Sequence, residues 1–470
     1  KAVAVLYAKD PVSKGGLGVP LAQFGTLLAV WAFVQSFLPI LTGGLSDKYG
    51  YKLTIFISTV VKIIAYLIMA FYPSFAGFTI GAIVLATGTG IFKPGIQGTL
   101  VKATNRRNSS MAWGIFYQTV NIGGWLGPLL AAQLRQLSWD NLFFACAGII
   151  SINFLLLLMY KEPHLEERLE HQRRVAAGEI EQRSLVRESL RELAKPHLWV
   201  FLAIMSGFWF MFNALFDVLP LHIRDWVDTS AIVQGLFGPE GTTSGAAIFL
   251  LGMSQDGQRI MPEGLLNVNA GLIMLTCFFF AHLSGKLKAV NSIMFGTFLT
   301  AVAFVMIGFT AGAWVVLFGI LTFSVGEMFS SPKFLEYIGN FAPEDKKAMY
   351  LGFSQLPLAI GWVTEGYFGP LLYGRYAAKE TLSRNWLAEN GASASDIAAI
   401  PQGEAFQFLL QFSGGTEAAM TTVLYEANNV GYVWYLMALI AIGAVIGLFF
   451  YGRWIGELTR PGAATAPATP

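Results

Sequence analysis

The chain has 470 residues, 54% of them hydrophobic and 13% charged, with a mean hydropathy of +0.55. Soluble domains carry roughly 25% charged residues, so this composition excludes one and indicates an integral membrane protein. A formal charge of +2 with no basic, aromatic-interleaved patch excludes a nucleic-acid partner, and Cys146 and Cys277, far apart in separate apolar runs, make neither a disulfide framework nor a metal cluster.

Windows of about 20 mostly apolar residues, enough to cross a ~30 Å hydrocarbon layer, predict helices over 22–43, 53–72, 76–101, 111–134, 141–160, 198–221, 265–284, 289–310, 314–338, 349–373 and 430–452. Numbered 2 to 12, they leave residues 1–9 as the apolar remnant of a helix 1. The opening "KAVAVLYAKDP" does not read as a cleavable signal peptide, because no small-residue site follows a full apolar core.

Charge orders the loops. Lys48 and Lys52, then Lys102, Arg106 and Arg107, fall on one side of the membrane. By alternation the run 161–196, Lys286 and Lys288, Lys346 and Lys347, and Arg453 share that side, which the positive-inside tendency makes cytoplasmic. The opposite loops are short except for 222–263 and 374–429, which are expected to carry local structure outside the bilayer. With this topology Lys1 falls near mid-membrane, so the first half of helix 1 is expected to precede the chain.

Six helices, a charged linker and six more helices resemble the layout of the major facilitator superfamily. That layout implies an all-α membrane fold of two six-helix bundles around a central cavity, with helix 1 only partly present. The expected domains are 1–160 (helices 1–6), a cytoplasmic amphipathic linker at 161–196, 197–456 (helices 7–12) and a disordered Pro/Ala-rich tail at 457–470. A solvated tether is the simpler reading of the linker, and a regulatory element the other.

The motifs sharpen this reading. "GGLSDKYGYK" at 43–52 resembles the superfamily's G-x-L-x-D-R-x-G-R-[RK] loop, which implies that Asp47, with Lys52, latches one state of an alternating-access cycle. The equivalent 8–9 loop, "LSGKLK", lacks the acid. "TGTGIFKPGI" (87–96), "FYQTVNIGGW" (116–125), "GEMFSSP" (326–332) and "FAPEDKKAMYLGF" followed by "AIG" are similar, in order, to segments of the proton-dependent oligopeptide transporter family. The chain starts just after the place where that family's acidic helix 1 signature would lie. The tryptophan usual early in the family's helix 11 falls on Ser354, and helix 7 departs from the family's acidic segment, with Asp217 as the candidate stand-in for its acidic residue.

Individual residues can then be weighed. Glu327 sits about 13 residues into an otherwise uncharged run, near mid-membrane, where a carboxylate costs several kcal/mol unless it faces water or a partner. The resemblance implies that Glu327 meets a peptide's ammonium; a structural glutamate bonded to nearby backbone is the alternative. It assigns Lys93, just before Pro94, to the substrate carboxylate or to proton exchange, against snorkelling to the interface. Asn121, Tyr117 one turn earlier and Asn269 complete the substrate-binding candidates, with interhelical hydrogen bonding as the competing role. Proton-coupling candidates are Lys93, Glu327 and Asp217. Lys333 and Glu336 are candidate gate residues beside the Asp47 and Lys52 latch. Glu365 and Lys62 are further intramembrane charges that no motif supports.

No catalytic, metal or phosphate-cradling motif appears, so no enzymatic activity or cofactor is expected and an ion gradient replaces ATP as the energy source. The expected function is proton-coupled import of di- and tripeptides or similar small zwitterions, with peptide, protons and the lipid bilayer of the cell membrane as partners. A proton-coupled porter of another solute and a transport-inactive sensor or scaffold are the alternatives.

Overall fold

The computed structural model describes residues 7, 16–17, 21–105, 108–162, 165–177, 185–400 and 404–458. The middle of the linker and residues 459–470 of the candidate tail lie outside these residues, while Glu457 and Leu458 end the last helix. Among the described residues the chain is helical apart from turns, one 3₁₀ turn and an isolated bridge between Met253 and Ile260. The helices in order are α1 (Leu21–Tyr49), α2 (Tyr51–Phe71), α3 (Phe75–Lys102), α4 (Ser109–Leu137), α5 (Trp139–Met159), α6 (Leu165–Ala176), α7 (Leu185–Leu193) and α8 (Pro196–Asp217). Then follow α9 (Leu219–Trp226), α10 (Ser230–Phe237), α11 (Gly245–Leu251), α12 (Pro262–Gly285), α13 (Ala289–Phe309), α14 (Ala313–Phe341) and α15 (Lys347–Phe353). The last are α16 (Gln355–Tyr376), α17 (Lys379–Glu389), α18 (Ala394–Ala399), α19 (Ala405–Ser413), α20 (Glu417–Ala427) and α21 (Tyr432–Leu458).

Eight spans among the described residues are long and apolar enough to cross a membrane. Leu158, Met159, Leu275 and Phe309 are 81%, 84%, 75% and 76% exposed, a display of apolar surface suited to lipid. Two predicted helices are interrupted, both by the same chemistry. The predicted 198–221 stops at Asp217 because Pro220 has no N–H to return to the Phe216 carbonyl. The predicted 349–373 breaks at Ser354 because Pro357 cannot bond the Phe353 carbonyl; the Ser354 hydroxyl donates instead to the Leu351 carbonyl at 2.6 Å.

The chain forms two compact units. Unit 1 is residues 1–203, 277–290 and 331–359, and unit 2 is residues 204–276, 291–330 and 360–470. A core in unit 1 gathers Leu27, Met69, Phe78, Leu85, Leu142 and Phe143 around Tyr7. The Tyr7 ring meets those of Phe78, Trp139 and Phe143 at centroid distances of 5.2, 4.9 and 5.1 Å. Tyr7 of the opening segment therefore belongs to this core.

The linker is more than a solvated tether. In α7, Ser189 and Glu192 are buried, at 3% and 5% exposure. Glu192 accepts from Lys346 Nζ at 2.8 Å and from the Tyr350 hydroxyl at 2.6 Å, and it pairs with Lys195. Lys346 also meets Glu188 at 2.7 Å. Burial pushes the Glu192 carboxyl up, but the donors Lys195, Lys346 and Tyr350 outweigh it and hold the group down at about 2.

In unit 2 small residues let helices touch through their backbones. A Cβ on Gly296 of α13 would fall 2.2 Å from Ser330 Oγ and 2.3 Å from the Gly326 carbonyl of α14. Phe304 and Phe323 stack at 5.8 Å, and Trp434 of α21 meets Phe304 edge-on at 5.4 Å. The long segments carry the expected local structure: Thr229 Oγ1 donates to the Ile260 carbonyl at 2.8 Å, and Arg384 of α17 donates to the Ile397 and Ile400 carbonyls at 2.8 and 2.9 Å.

Gly296→Val should destabilise the protein by about 1–3 kcal/mol through overpacking, lowering its melting temperature in detergent. Gly148→Ala, with nothing within 4 Å of the new Cβ, should be neutral or slightly stabilising. For Glu192, a depressed folded-state value means its stabilisation is complete above the ordinary 4.5 and is lost as pH falls toward about 2. Protection of the 185–193 amides relative to their intrinsic exchange rates should fall across that window, and Glu192→Gln should flatten the dependence.

Candidate functional site

The segment 43–52, expected as a loop, is helical except at Gly50, where α1 passes into α2, and it organises one end of unit 1. Gly43 lies so close to α15 that a Cβ would sit 2.3 Å from the Ala348 carbonyl and 2.7 Å from Met349 Cα. That approach brings the Asp47 carboxylate to the first turn of α15, where it accepts from the amides of Ala348 at 3.1 Å and Met349 at 2.9 Å. The Tyr51 hydroxyl donates to the same carboxylate at 2.9 Å. An anion at a helix N-terminus satisfies unpaired amides and the positive end of the dipole together. Gly50 turns the chain with φ 103°, a conformation that favours glycine. Lys52 Nζ donates to the Tyr160 carbonyl at the end of α5 at 3.0 Å.

The junction between α14 and α15 is capped from its own side as well. Lys347 Nζ donates to the Gly339 and Ala342 carbonyls at 2.9 and 2.8 Å, placing a cation at the C-terminus of α14. Lys102 meets Glu344 at 2.9 Å. The "FAPEDKK" stretch is thus a pair of helix ends held by opposite charges. Lys333 and Glu336 pair with each other at 2.9 Å along α14, both buried.

Lys93, half-buried in α3, donates to Gln355 Oε1 at 3.1 Å. Gln355 and its neighbour Ser354 are buried. The sequence reading missed Gln355, although a Ser-Gln pair in "YLGFSQLPL" is itself a polar interruption of an apolar run. Asn121 Nδ2 donates to the Tyr117 carbonyl at 2.9 Å, within its own helix. Among the described residues no hydrogen bond joins Lys93 to Asn121 or Tyr117. Lys62, 8% exposed, places Nζ 3.7 Å from the centre of the Phe92 ring, a cation–π contact.

Unit 2 buries the other candidates. Glu327 and Asn269 are each 2% exposed, and Asn269 Nδ2 donates to Glu327 Oε2 and to Ser324 Oγ, both at 2.9 Å. Ser324 in turn donates to the Ile320 carbonyl at 2.7 Å. Sequence reasoning named the acid and the amide separately but not Ser324, which its position one turn before Glu327 on the same helix face marks. Asp217 ends α8 and faces Glu365 of α16.

The comparisons with known proteins agree with this architecture. The sequence profile of the Major Facilitator Superfamily matches residues 4–364. A peptide transporter of Yersinia enterocolitica is 28% identical over 160 residues, covering 33% of this chain and 31% of the relative. The matched part is therefore about a third of that relative's length. A multidrug resistance protein of Aeromonas salmonicida is 20% identical over 345 residues, 73% of this chain and 77% of its own. Among solved structures, the fucose:proton symporter of E. coli superposes with a TM-score of 0.59 at 12% identity, covering 96% of this chain and 93% of the other, a likeness of fold. The chain belongs to the Major Facilitator Superfamily and is multi-pass by its apolar spans, and over about a third of its length it is similar to a peptide transporter, in line with the resemblance carried by its motifs.

Proposed function

We propose that the protein is a proton-coupled secondary transporter of the cell membrane that imports di- and tripeptides or similar small zwitterions by alternating access. The observation that carries this reading is the state of its buried charges. Glu327 is a deeply buried carboxyl group oriented by Asn269, and Lys93 is a half-buried amine oriented by Gln355. A zwitterion needs one charge of each sign, desolvated enough to matter. In this reading Glu327 and Asn269 take the substrate's ammonium, and Lys93 takes its carboxylate. Asn121 and Tyr117 supply polar contacts to the peptide backbone. Lys93, Glu327 and Asp217 are the proton-coupling residues. Asp47 and Lys52 latch one state of the cycle, and Lys333 with Glu336 closes a gate.

A second reading has its own support. A relative matched over most of this chain is a multidrug resistance protein, and Ser354 stands where the oligopeptide family has a tryptophan. On that reading the protein is a proton-coupled porter of another solute.

Proteoliposome uptake under an imposed pH gradient separates the two. With free dipeptides, Glu327→Gln should weaken binding by about 1.5–3 kcal/mol, roughly ten- to a hundred-fold. The loss should be much smaller for amino-blocked dipeptides. Lys93→Ala should show the reverse preference, harming substrates with a free carboxylate most. Equal losses for all analogues would mean that these charges hold the fold or carry protons without reading the substrate. Wild-type uptake of no dipeptide would favour the porter of another solute.

A further inference from the structure

Glu365 is fully buried in α16, at 0% exposure, and among the described residues no N–H or O–H group donates to either of its carboxylate oxygens. What faces it is another acid: Asp217, from the end of α8, is the one charged group acting on it among those residues. Asp217 itself is exposed. The niche is built by a glycine. One turn further along α16, a Cβ on Gly369 would fall 2.1 Å from Glu365 Oε1 and 3.1 Å from Val218 Cγ2, so only a bare backbone leaves the carboxyl room beside α8. Gly361, one turn before Glu365, likewise lets α16 approach the backbone of Trp209 and Phe210, both uncharged.

Two adjoining carboxylates, one of them buried with no donor or cation beside it among the described residues, strongly disfavour being ionised together. A purely structural glutamate would be expected to accept from a neighbouring amide or hydroxyl, as Glu327 accepts from Asn269. We propose that Asp217 and Glu365 form a proton-holding pair, with exposed Asp217 as the entry and buried Glu365 as the store. The pair cycles between one shared proton, with a net single negative charge, and two protons with no net charge. The second proton enters from water at Asp217 and leaves by the same route or toward the transport pathway. No other bond is made or broken. The inference rests on the proton-coupled reading above and adds to it Glu365, which no motif marks, as a residue that binds the coupling ion.

The test combines infrared spectroscopy and transport in the full-length protein. Infrared difference spectra across a pH step should show the carbonyl stretch of a protonated carboxylic acid, shifted by deuteration. The band should vanish in Glu365→Gln, persist in Glu365→Asp and move in Asp217→Asn. In proteoliposomes, Glu365→Gln should lower pH-gradient-driven dipeptide accumulation by about tenfold or more while dipeptide exchange without a gradient stays within about threefold. A band unchanged in Glu365→Gln, or gradient-driven accumulation equal to wild type, would overturn the proposal. If wild type transports no dipeptide, the substrate reading fails, and the infrared band alone still decides the pair. If Glu365→Gln does not fold, the Asp217→Asn shift decides it.

Discussion

A carboxylate aimed at the open end of a helix governs the organisation of unit 1. Asp47 accepts from two successive amides of α15 and from the Tyr51 hydroxyl. Each charge-assisted hydrogen bond of this kind contributes about 1.5–3 kcal/mol net, and leaving the buried carboxylate without them costs at least as much. Other features of this end follow from the same requirement. Gly43 has to lack a side chain for α15 to come near, Gly50 has to turn the chain, and Lys347 has to cap the helix that precedes α15. The linker helix α7 then packs on the same junction, where Glu192 takes donors from Lys346 and Tyr350.

The same electrostatic logic sorts the charges of unit 2. In an apolar medium a buried ion is tolerated when oriented donors or an opposite charge face it. Glu327 has Asn269, itself set by Ser324. Among the described residues Glu365 has no such donor and faces Asp217 instead. Two glutamates of one unit therefore differ in their surroundings: one accepts from an oriented amide, and the other adjoins a second acid.

Much of the fold was legible in the sequence because apolar runs of about 20 residues have few alternatives to spanning helices. The interruptions at Val218 and Ser354 were legible too, in Pro220 and Pro357, but hydropathy averages over a proline. The site was half legible. Asp47, Lys93, Asn269 and Glu327 stood out as polar residues in motifs or apolar runs. Their partners did not, because pairing across long stretches of chain is decided by packing: Gln355 lies 262 residues from Lys93, and Met349 lies 302 from Asp47. Asn121 shows the opposite case, an amide in a motif whose donor goes to its own helix. The burial of Glu192 was hidden by a linker whose dense charge reads as solvated.

The most direct test of this account is hydrogen exchange at the first turn of α15. Asp47→Ala removes the acceptor of the Ala348 and Met349 amides and leaves the rest of the helix sequence intact. Exchange of the segment 344–353 should then accelerate by roughly ten- to a hundred-fold, as loss of about 1.5–3 kcal/mol requires. Protection of residues 313–330, the part of α14 in unit 2, should stay at its wild-type level. Unchanged exchange at 344–353 would contradict the claim that Asp47 holds this end of the protein together.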